Sequence, residues 1–338
     1  RAAGGTARSG ASSLVSPARC ARNEAAGTMT FVSPFGYDAS AGIIDVVAAE
    51  SLGYFRDLCV SVKLVMSSYS SNQLVSTGTG TVTGEGSAAD DLVLVANGAN
   101  LVSIATYGST SDYALLTQPG ITRLTQLEGK TVAYHTTMPV ILTEMLQRAG
   151  VDVAKLNLVN DVSYNPDLLA EGKFAALQAY RSNEPITLRA QLQAFHEFIP
   201  SDFGVKGTFN AQVVNRSFLE RHPATVADFL RAELHAFEYC GAHALRCVRI
   251  EDAAAASAGV GTDQSHNLAE WRFEYALAVD HTLPGQGVGV QSRAEWAPEV
   301  AALRSFGILR HVPPLATYED TSMAASLYHG KQLVWPGT

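Results

Sequence analysis

Residues 163–185 read SYNPDLLAEGKFAALQAYRSNEP. A Tyr-Asn-Pro turn opens the stretch, and a short amphipathic helix follows with Leu168 and Leu169 as its apolar pair. Gly172 stands where a C′ glycine closes a helix, because only glycine takes the left-handed conformation there without strain. Residues 174–180 read as a buried strand, which stops at a polar loop, Arg181-Ser182-Asn183-Glu184-Pro185. Helix, glycine, strand and then polar residues at the carboxyl end is the α/β layout that gathers ligand contacts in a crevice.

The same alternation extends outward. Residues 28–113 alternate between strands and helices, at 29–33, 43–51, 60–66, 73–77, 92–97 and 102–107. Such alternation predicts a mostly parallel sheet. Gln118-Pro119-Gly120 is a turn and is read as the first crossing into a second α/β unit, with a strand at 131–134, a helix at 140–149 and a strand at 156–160. A strand-like run at 205–214 returns the chain. His222-Pro223 marks a helix start, and helices follow at 225–239, 251–258, 267–277 and 296–306. The expected organisation is a tail over 1–27, lobe one over 28–117 and 212–338, and an inserted lobe two over 118–211.

Four further segments add to the decisive stretch: residues 31–37 as a first strand and loop, 42–55 (GIIDVVAAESLGYF), 84–92 (GEGSAADDL) and 127–134 (LEGKTVAY). In order and spacing they resemble type 2 periplasmic binding proteins of the sulfonate, nitrate and thiamine-pyrimidine kind. The Asn-Glu-Pro ending is similar to the pyrimidine- and riboflavin-binding branch. Phe174-Ala175-Ala176 departs from the family's small apolar residue followed by Asp-Ala, and Glu128 replaces its Lys. The resemblance implies a two-lobed α/β fold with a cleft between the lobes, closing on a solute by hinge motion. It also implies a monomeric component of an ABC importer, working with membrane subunits and carrying no cofactor. A flat nitrogen heterocycle, such as a thiamine-precursor pyrimidine, is the expected ligand. Riboflavin is the nearest alternative and sulfonate or nitrate a further one. A pyrimidine-forming enzyme that consumes its own His is the alternative of another class.

The 338 residues carry a net charge of −8 and no run of Lys or Arg, which argues against nucleic-acid binding. With 47% hydrophobic and 17% charged residues the composition is that of a globular protein with an ample core. No stretch is apolar for long enough to span a membrane as a helix. The start at Arg-Ala-Ala, without Met, fits a chain from which a signal peptide was removed. With the resemblance, it suggests an exported protein, periplasmic or at the cell surface, with a lipid anchor possible.

Candidate ligand contacts are aromatic residues at strand ends: Phe35, Tyr37, Tyr69, Tyr107, Tyr134, Tyr164 and Tyr180. Aromatic faces can sandwich a flat ring while phenol hydroxyls hold its edge. Asn183 and Glu184 offer an amide and a carboxylate to an exocyclic amine or ring N–H. Ser87, in a small-residue turn before a helix, could hold an anion or carbonyl oxygen. Asp38 and Ser40 are read as N-caps of the first helix.

Catalytic signals are weak: His196-Glu197 lacks the second His of a zinc-protease helix, and no Gly-x-Ser-x-Gly elbow occurs. The reading is therefore a binding protein and not an enzyme. The four cysteines, Cys20, Cys59, Cys240 and Cys247, lack metal-site spacing, so no metal is expected. In an exported protein they suggest two disulfides. Of three pairings, Cys20–Cys59 with Cys240–Cys247 is favoured, and four buried thiols is the other possibility. The second bridge requires a helix to break near Gly241, since residues seven apart on one helix are too distant to pair.

Overall fold

The computed structural model describes residues 13–66, 70–161 and 163–337. The first element among the described residues is α1 (Pro17–Ala25), where the sequence suggested a tail. The helix is amphipathic, capped by Ser16 and started by Pro17. Its Arg19 makes a fork-like pair with Asp228, Nε to Oδ2 at 2.9 Å and Nη2 to Oδ1 at 2.6 Å. Removing one partner of such a buried pair costs about 3–5 kcal/mol.

Lobe one continues through β1 (Thr28–Ser33), α2 (Ile44–Leu52), the single turn α3 (Tyr54–Asp57), β2 (Ser61–Met66), α4 (Ser71–Thr77), β3 (Val82–Glu85), α5 (Ala88–Ala96) and β4 (Leu101–Gly108). Lobe two holds β5 (Tyr113–Thr117), β6 (Thr131–Tyr134), α6 (Val140–Arg148), β7 (Asn157–Asn160), α7 (Asp167–Ala170), β8 (Ala176–Tyr180), α8 (Glu184–Ala190) and β9 (His196–Phe198). The chain returns through β10 (Phe209–Asn215) and ends in α9 (Arg216–Arg221), α10 (Pro223–Ala242), α11 (Ala244–Ser257), α12 (Gln264–Asp280), α13 (Arg293–Ser305) and a short hairpin, β11 (Tyr328–His329) and β12 (Gln332–Leu333).

The two large sheets follow one plan, β2-β1-β3-β10-β4 and β7-β6-β8-β5-β9. In each, the parallel strands come from one lobe's own α/β units, and the antiparallel strand next to the edge has just crossed from the other lobe: β5 pairs antiparallel with β8 and β9, and β10 with β3 and β4. This corrects the expected boundary. Tyr113–Thr117, assigned to lobe one, is a central strand of lobe two, so the first crossing lies before it and not at Gln118-Pro119-Gly120. All five of its residues are buried, and a short apolar run does not say which sheet will bury it.

The 163–185 stretch folds nearly as read. Gly172 takes φ +78° just past α7, and its N–H reaches the Leu169 carbonyl at 3.0 Å. The 181–185 segment is shorter than a loop, because Glu184 and Pro185 already form the first turn of α8. Pro185 fits there because a first-turn N–H has no helical partner to lose.

The main core packs α2 and α10 against β1 and β4, with Phe55 stacked on Phe229 at 5.0 Å. A second core fills lobe two around Leu115, Val132 and Met145. A third joins the lobes: Trp296 and Val300 of α13 pack with Ala88 of α5 and Val140 of α6.

Both expected disulfides are present, Cys20–Cys59 and Cys240–Cys247. The break that permits the second lies at His243, between α10 and α11, and not at Gly241. Gly241 is helical, and a Cβ there would come within 2.1 Å of the Tyr275 ring.

Candidate functional site

A cavity of about 80 Å³ lies between the lobes, where the carboxyl ends of β1, β3 and β8 meet the two crossings. Lobe one contributes Phe35 and Asp38 from the loop after β1, Gly84 and Gly86 from β3 and its turn, and Glu270 and Glu274 from α12. Lobe two contributes Tyr164, Tyr180, Ser182 and Asn183. Asp112, in the first crossing, and Phe209 and Asn210, in the second, complete the wall. Gly86 takes φ +64°, and at Gly84 a Cβ would strike the Gln212 side chain at 2.4 Å, so backbone lines the cavity there.

Four carboxylates face this space, and among the described lining residues there is no Lys or Arg. Burial is the main reason three of them, Asp112, Glu270 and Glu274, hold protons. It pushes Asp112 up to about 7, partly relieved by its own backbone N–H and by Arg181, and worsened by Glu184 and Asp90. Burial also lifts Glu270 well above the usual carboxylate range, reinforced by the charges of Asp38 and Glu274. Glu274 is lifted likewise by burial and by Asp112, although the Ser182 hydroxyl and the Ala41 N–H, at 2.6 Å, both donate to it. A cation entering here would repay that desolvation by pairing with the charged forms.

The aromatic walls come from both lobes. Phe35 meets Tyr180 edge to face, and Tyr180 lies 5.1 Å from Tyr113 between ring centroids. The Tyr113 hydroxyl reaches Asp90 of α5 at 3.3 Å. Arg181 sits 5.1 Å from the centre of the Phe273 ring on α12. Phe35–Tyr180, Tyr113–Asp90 and Arg181–Phe273 each join one lobe to the other.

Of the residues singled out in the sequence, Phe35, Asp38, Ser40, Tyr164, Tyr180 and Asn183 line the cavity. Glu184 sits beside it: its Oε2 accepts from the Tyr180 N–H at 2.8 Å, and its Oε1 lies 3.6 Å from His135 Nε2. Burial of His135 opposes protonation, but Glu184 and the Asp161 carbonyl outweigh it and raise its pKa. Tyr164 stacks on that ring at 4.0 Å. Tyr37 and Tyr134 are half-buried and do not line the cavity. Tyr69 lies outside the described residues. Ser87 caps α5, sharing Asp90 in a reciprocal capping box.

Tyr107 is a correction. It is fully buried in the lobe-one core, with its hydroxyl 2.6 Å from Asp45 and 2.9 Å from Glu233. Asp38 is another: α2 begins at Ile44, too late for Asp38 to cap it, and the carboxylate faces the cavity.

Glu270, Glu274 and Asp112 were missed. The first two share a buried helix face. They fall on the same face of α12 as Asn267, Trp271, Leu277 and Ala278, all buried. Carboxylates on a buried helix face seldom survive unless paired, although the α12 sequence shows no amphipathic stripe that would mark this face beforehand. Asp112 carried no local sign either, since its place depends on the crossing.

The chain matches the family described as NMT1/THI5 like over residues 40–244. No curated protein sequence matches it. Among solved structures, it is similar to a ligand-binding component of an ABC-type import system from Staphylococcus aureus, at 10% identity and TM-score 0.65, covering 88% of this chain and 97% of that one. It is similar to the periplasmic aliphatic sulphonate binding protein SsuA from Escherichia coli, at 12% identity and TM-score 0.63, covering 86% and 96%. It is also similar to the desulfurization enzyme DSZB, at 12% identity and TM-score 0.60, covering 88% and 98%. The chain thus has the two-lobed fold of periplasmic solute-binding proteins, a fold that also carries an enzyme.

Proposed function

The chain belongs to the NMT1/THI5-like family, and from that premise we propose that it is the solute-binding component of an ABC importer, closing on a flat, positively charged nitrogen heterocycle. An aminopyrimidine of the thiamine-precursor kind fits first. The observation that carries this reading is the cavity wall itself: Asp38, Asp112, Glu270 and Glu274 share it with the rings of Phe35, Tyr164 and Tyr180. Carboxylates accept from exocyclic amines and protonated ring nitrogens, and rings hold the flat faces, with added attraction for a cation.

The acidic wall favours a cation over an anion such as sulfonate or nitrate. A sulfonate or nitrate would meet four carboxylates with no guanidinium or ammonium among the described lining residues. Ionising any of the buried acids beside a bound anion would set like charges together, at about 4 kcal/mol for a pair 4 Å apart and an effective dielectric near 20. The same aromatic walls could flank a tricyclic flavin, and riboflavin is therefore the second candidate.

The enzyme alternative consumes a histidine, and His135, beside the wall, is held by Glu184 and the Asp161 carbonyl and covered by the Tyr164 ring. The protein is a binding protein that returns its ligand unchanged. It works outside the cytoplasmic membrane, where disulfides such as Cys20–Cys59 persist. Among the described residues no helix is long and apolar enough to cross a membrane. The protein acts as a monomer that delivers solute to membrane subunits.

Calorimetry and thermal shift with a cationic aminopyrimidine, riboflavin, an alkanesulfonate and nitrate test the reading. The aminopyrimidine should raise the melting temperature by mass action on the native state, and mass spectrometry should recover it intact. Tighter binding of sulfonate or nitrate, or chemical conversion of the pyrimidine, would overturn it.

A further inference from the structure

A second feature lies away from the cleft, where α10 gives way to α11. The chain reverses at His243, and α12 crosses beneath it. The site is held firmly. The Cys240–Cys247 bridge clamps the reversal, the Trp271 Nε1–H donates to the Cys240 carbonyl at 3.0 Å, and Tyr275 fills the space above Gly241. The result is a groove of about 640 Å³, open to solvent.

Its rim is basic. Arg246 and Arg249 stand three residues apart on α11 and therefore share a face, and Arg272 reaches the groove from α12. His243 and Leu245 complete the rim. All three arginines are exposed, and none forms a salt bridge among the described residues. Elsewhere Arg19, Arg148 and Arg189 are each matched to a carboxylate. Arg246 is steadied over the Tyr239 ring, 5.7 Å from its centre. In a chain of net charge −8, this concentration of unmatched guanidinium groups is a local reversal of sign. Leu245, 38% exposed, stands among them.

We propose that this groove is a docking face for an anionic phospholipid surface, with Arg246, Arg249 and Arg272 taking headgroup phosphates and Leu245 entering the interfacial layer. Guanidinium matches phosphate geometry in a two-pronged way, and basic residues flanking an exposed apolar side chain suit a lipid interface. The groove is too open to enclose a single phosphate ion. A surface of many headgroups can engage all three arginines together. The overall negative charge would otherwise repel the protein from such a surface, so the patch also sets its orientation. This proposal is independent of the ligand in the cleft.

Vesicle flotation tests it with the full chain. Wild-type protein should float with phosphatidylcholine vesicles containing phosphatidylglycerol and stay behind with phosphatidylcholine alone, and added salt should release it. The triple variant Arg246→Gln, Arg249→Gln, Arg272→Gln should partition roughly a hundredfold more weakly, at about one kcal/mol for each basic residue. A control removing equal charge from lobe two, Arg123→Gln, Lys130→Gln, Lys206→Gln, should partition like wild type. Unchanged melting temperatures in both would show that the fold is intact. Equal loss in both variants, no loss in the groove variant, or no wild-type binding to anionic vesicles would overturn the proposal. So would a thermal shift with inorganic phosphate that vanishes in the groove variant while vesicles remain unbound, since the groove would then be a free-anion site.

Discussion

Phe35 of lobe one and Tyr180 of lobe two meet edge to face across the cleft, with ring centroids 5.9 Å apart and planes at 68°. The contact joins a loop after one lobe's first strand to the end of the other lobe's central strand. Each ring also faces the cavity, so an opening motion separates the pair and exposes the walls together. Phe35 is 38% exposed and adds little to the core. Phe35→Ala should therefore weaken binding of a flat cationic ring by about 1–3 kcal/mol, a tenfold to hundredfold rise in Kd. Thermal unfolding of the ligand-free protein should barely change. Titration calorimetry showing the parent affinity would remove the stacking role.

The carboxylate wall makes binding depend on pH in one direction. Asp112 holds its proton up to about 7, and a cation pairs with the ionised form. Affinity for a permanently charged heterocycle should rise between about pH 5 and 8, with protons released on binding. Glu274→Gln should cost a tenfold to hundredfold in affinity, the scale of one charge-assisted hydrogen bond, and should flatten the pH profile. Calorimetry in buffers of different ionisation enthalpy reads the proton count. Affinity that falls with rising pH would contradict the model of a cation on carboxylates.

Stability should run the opposite way. Burial holds Asp45 and Glu299 at about 7 and Glu295 at about 8, against 3.8 for a free Asp and 4.5 for a free Glu. Between the ordinary carboxylate range and these values the native state keeps more protons than the unfolded chain. Unfolding free energy therefore falls as pH rises through that window. The ligand-free protein should melt at a higher temperature near pH 5 than near pH 8. A cationic ligand should narrow the difference. A melting temperature that climbs from pH 5 to 8 without ligand would count against these protonated acids.

Tyr107 separates core from site. Its hydroxyl lies between Asp45 and Glu233, two acids whose pKa values burial raises. Tyr107→Phe should lower stability by about 1–3 kcal/mol, the cost of an unmet buried polar group. Ligand affinity should stay near the parent value, because Tyr107 does not line the cavity. Denaturant unfolding and calorimetry on the same preparation distinguish the two effects.

The bridges should differ in weight. Cys20–Cys59 closes a separation of 39 residues and Cys240–Cys247 one of 7. Loop-closure entropy assigns about 4 kcal/mol to the longer and about 2.5 kcal/mol to the shorter. Paired Cys→Ser replacement should lower the melting temperature more for the first pair. Recovery of free thiols from native, never-reduced protein would refute either bridge.

Much of the lobe architecture was determined locally. The strand Thr131–Tyr134, the helix closed by Gly172 and the long C-terminal helices follow from periodicity, caps and glycine, all set by neighbours within a few residues. The aromatic candidates Phe35 and Tyr164 were legible because residues at strand ends in an α/β fold face the crevice. Tertiary structure alone decided the rest. Tyr113–Thr117 joins lobe two because that sheet, and not the first, has an open position beside β8. Tyr107 and Tyr180 both end strands, yet one is sealed by α2 and α10 while the other meets the cleft. The acidic wall arises because α12, far along the chain, is carried back beneath the crossings. There Glu270 and Glu274 converge with Asp38 and Asp112. Such long-range convergence depends on how the lobes pack, and no local pattern encodes it.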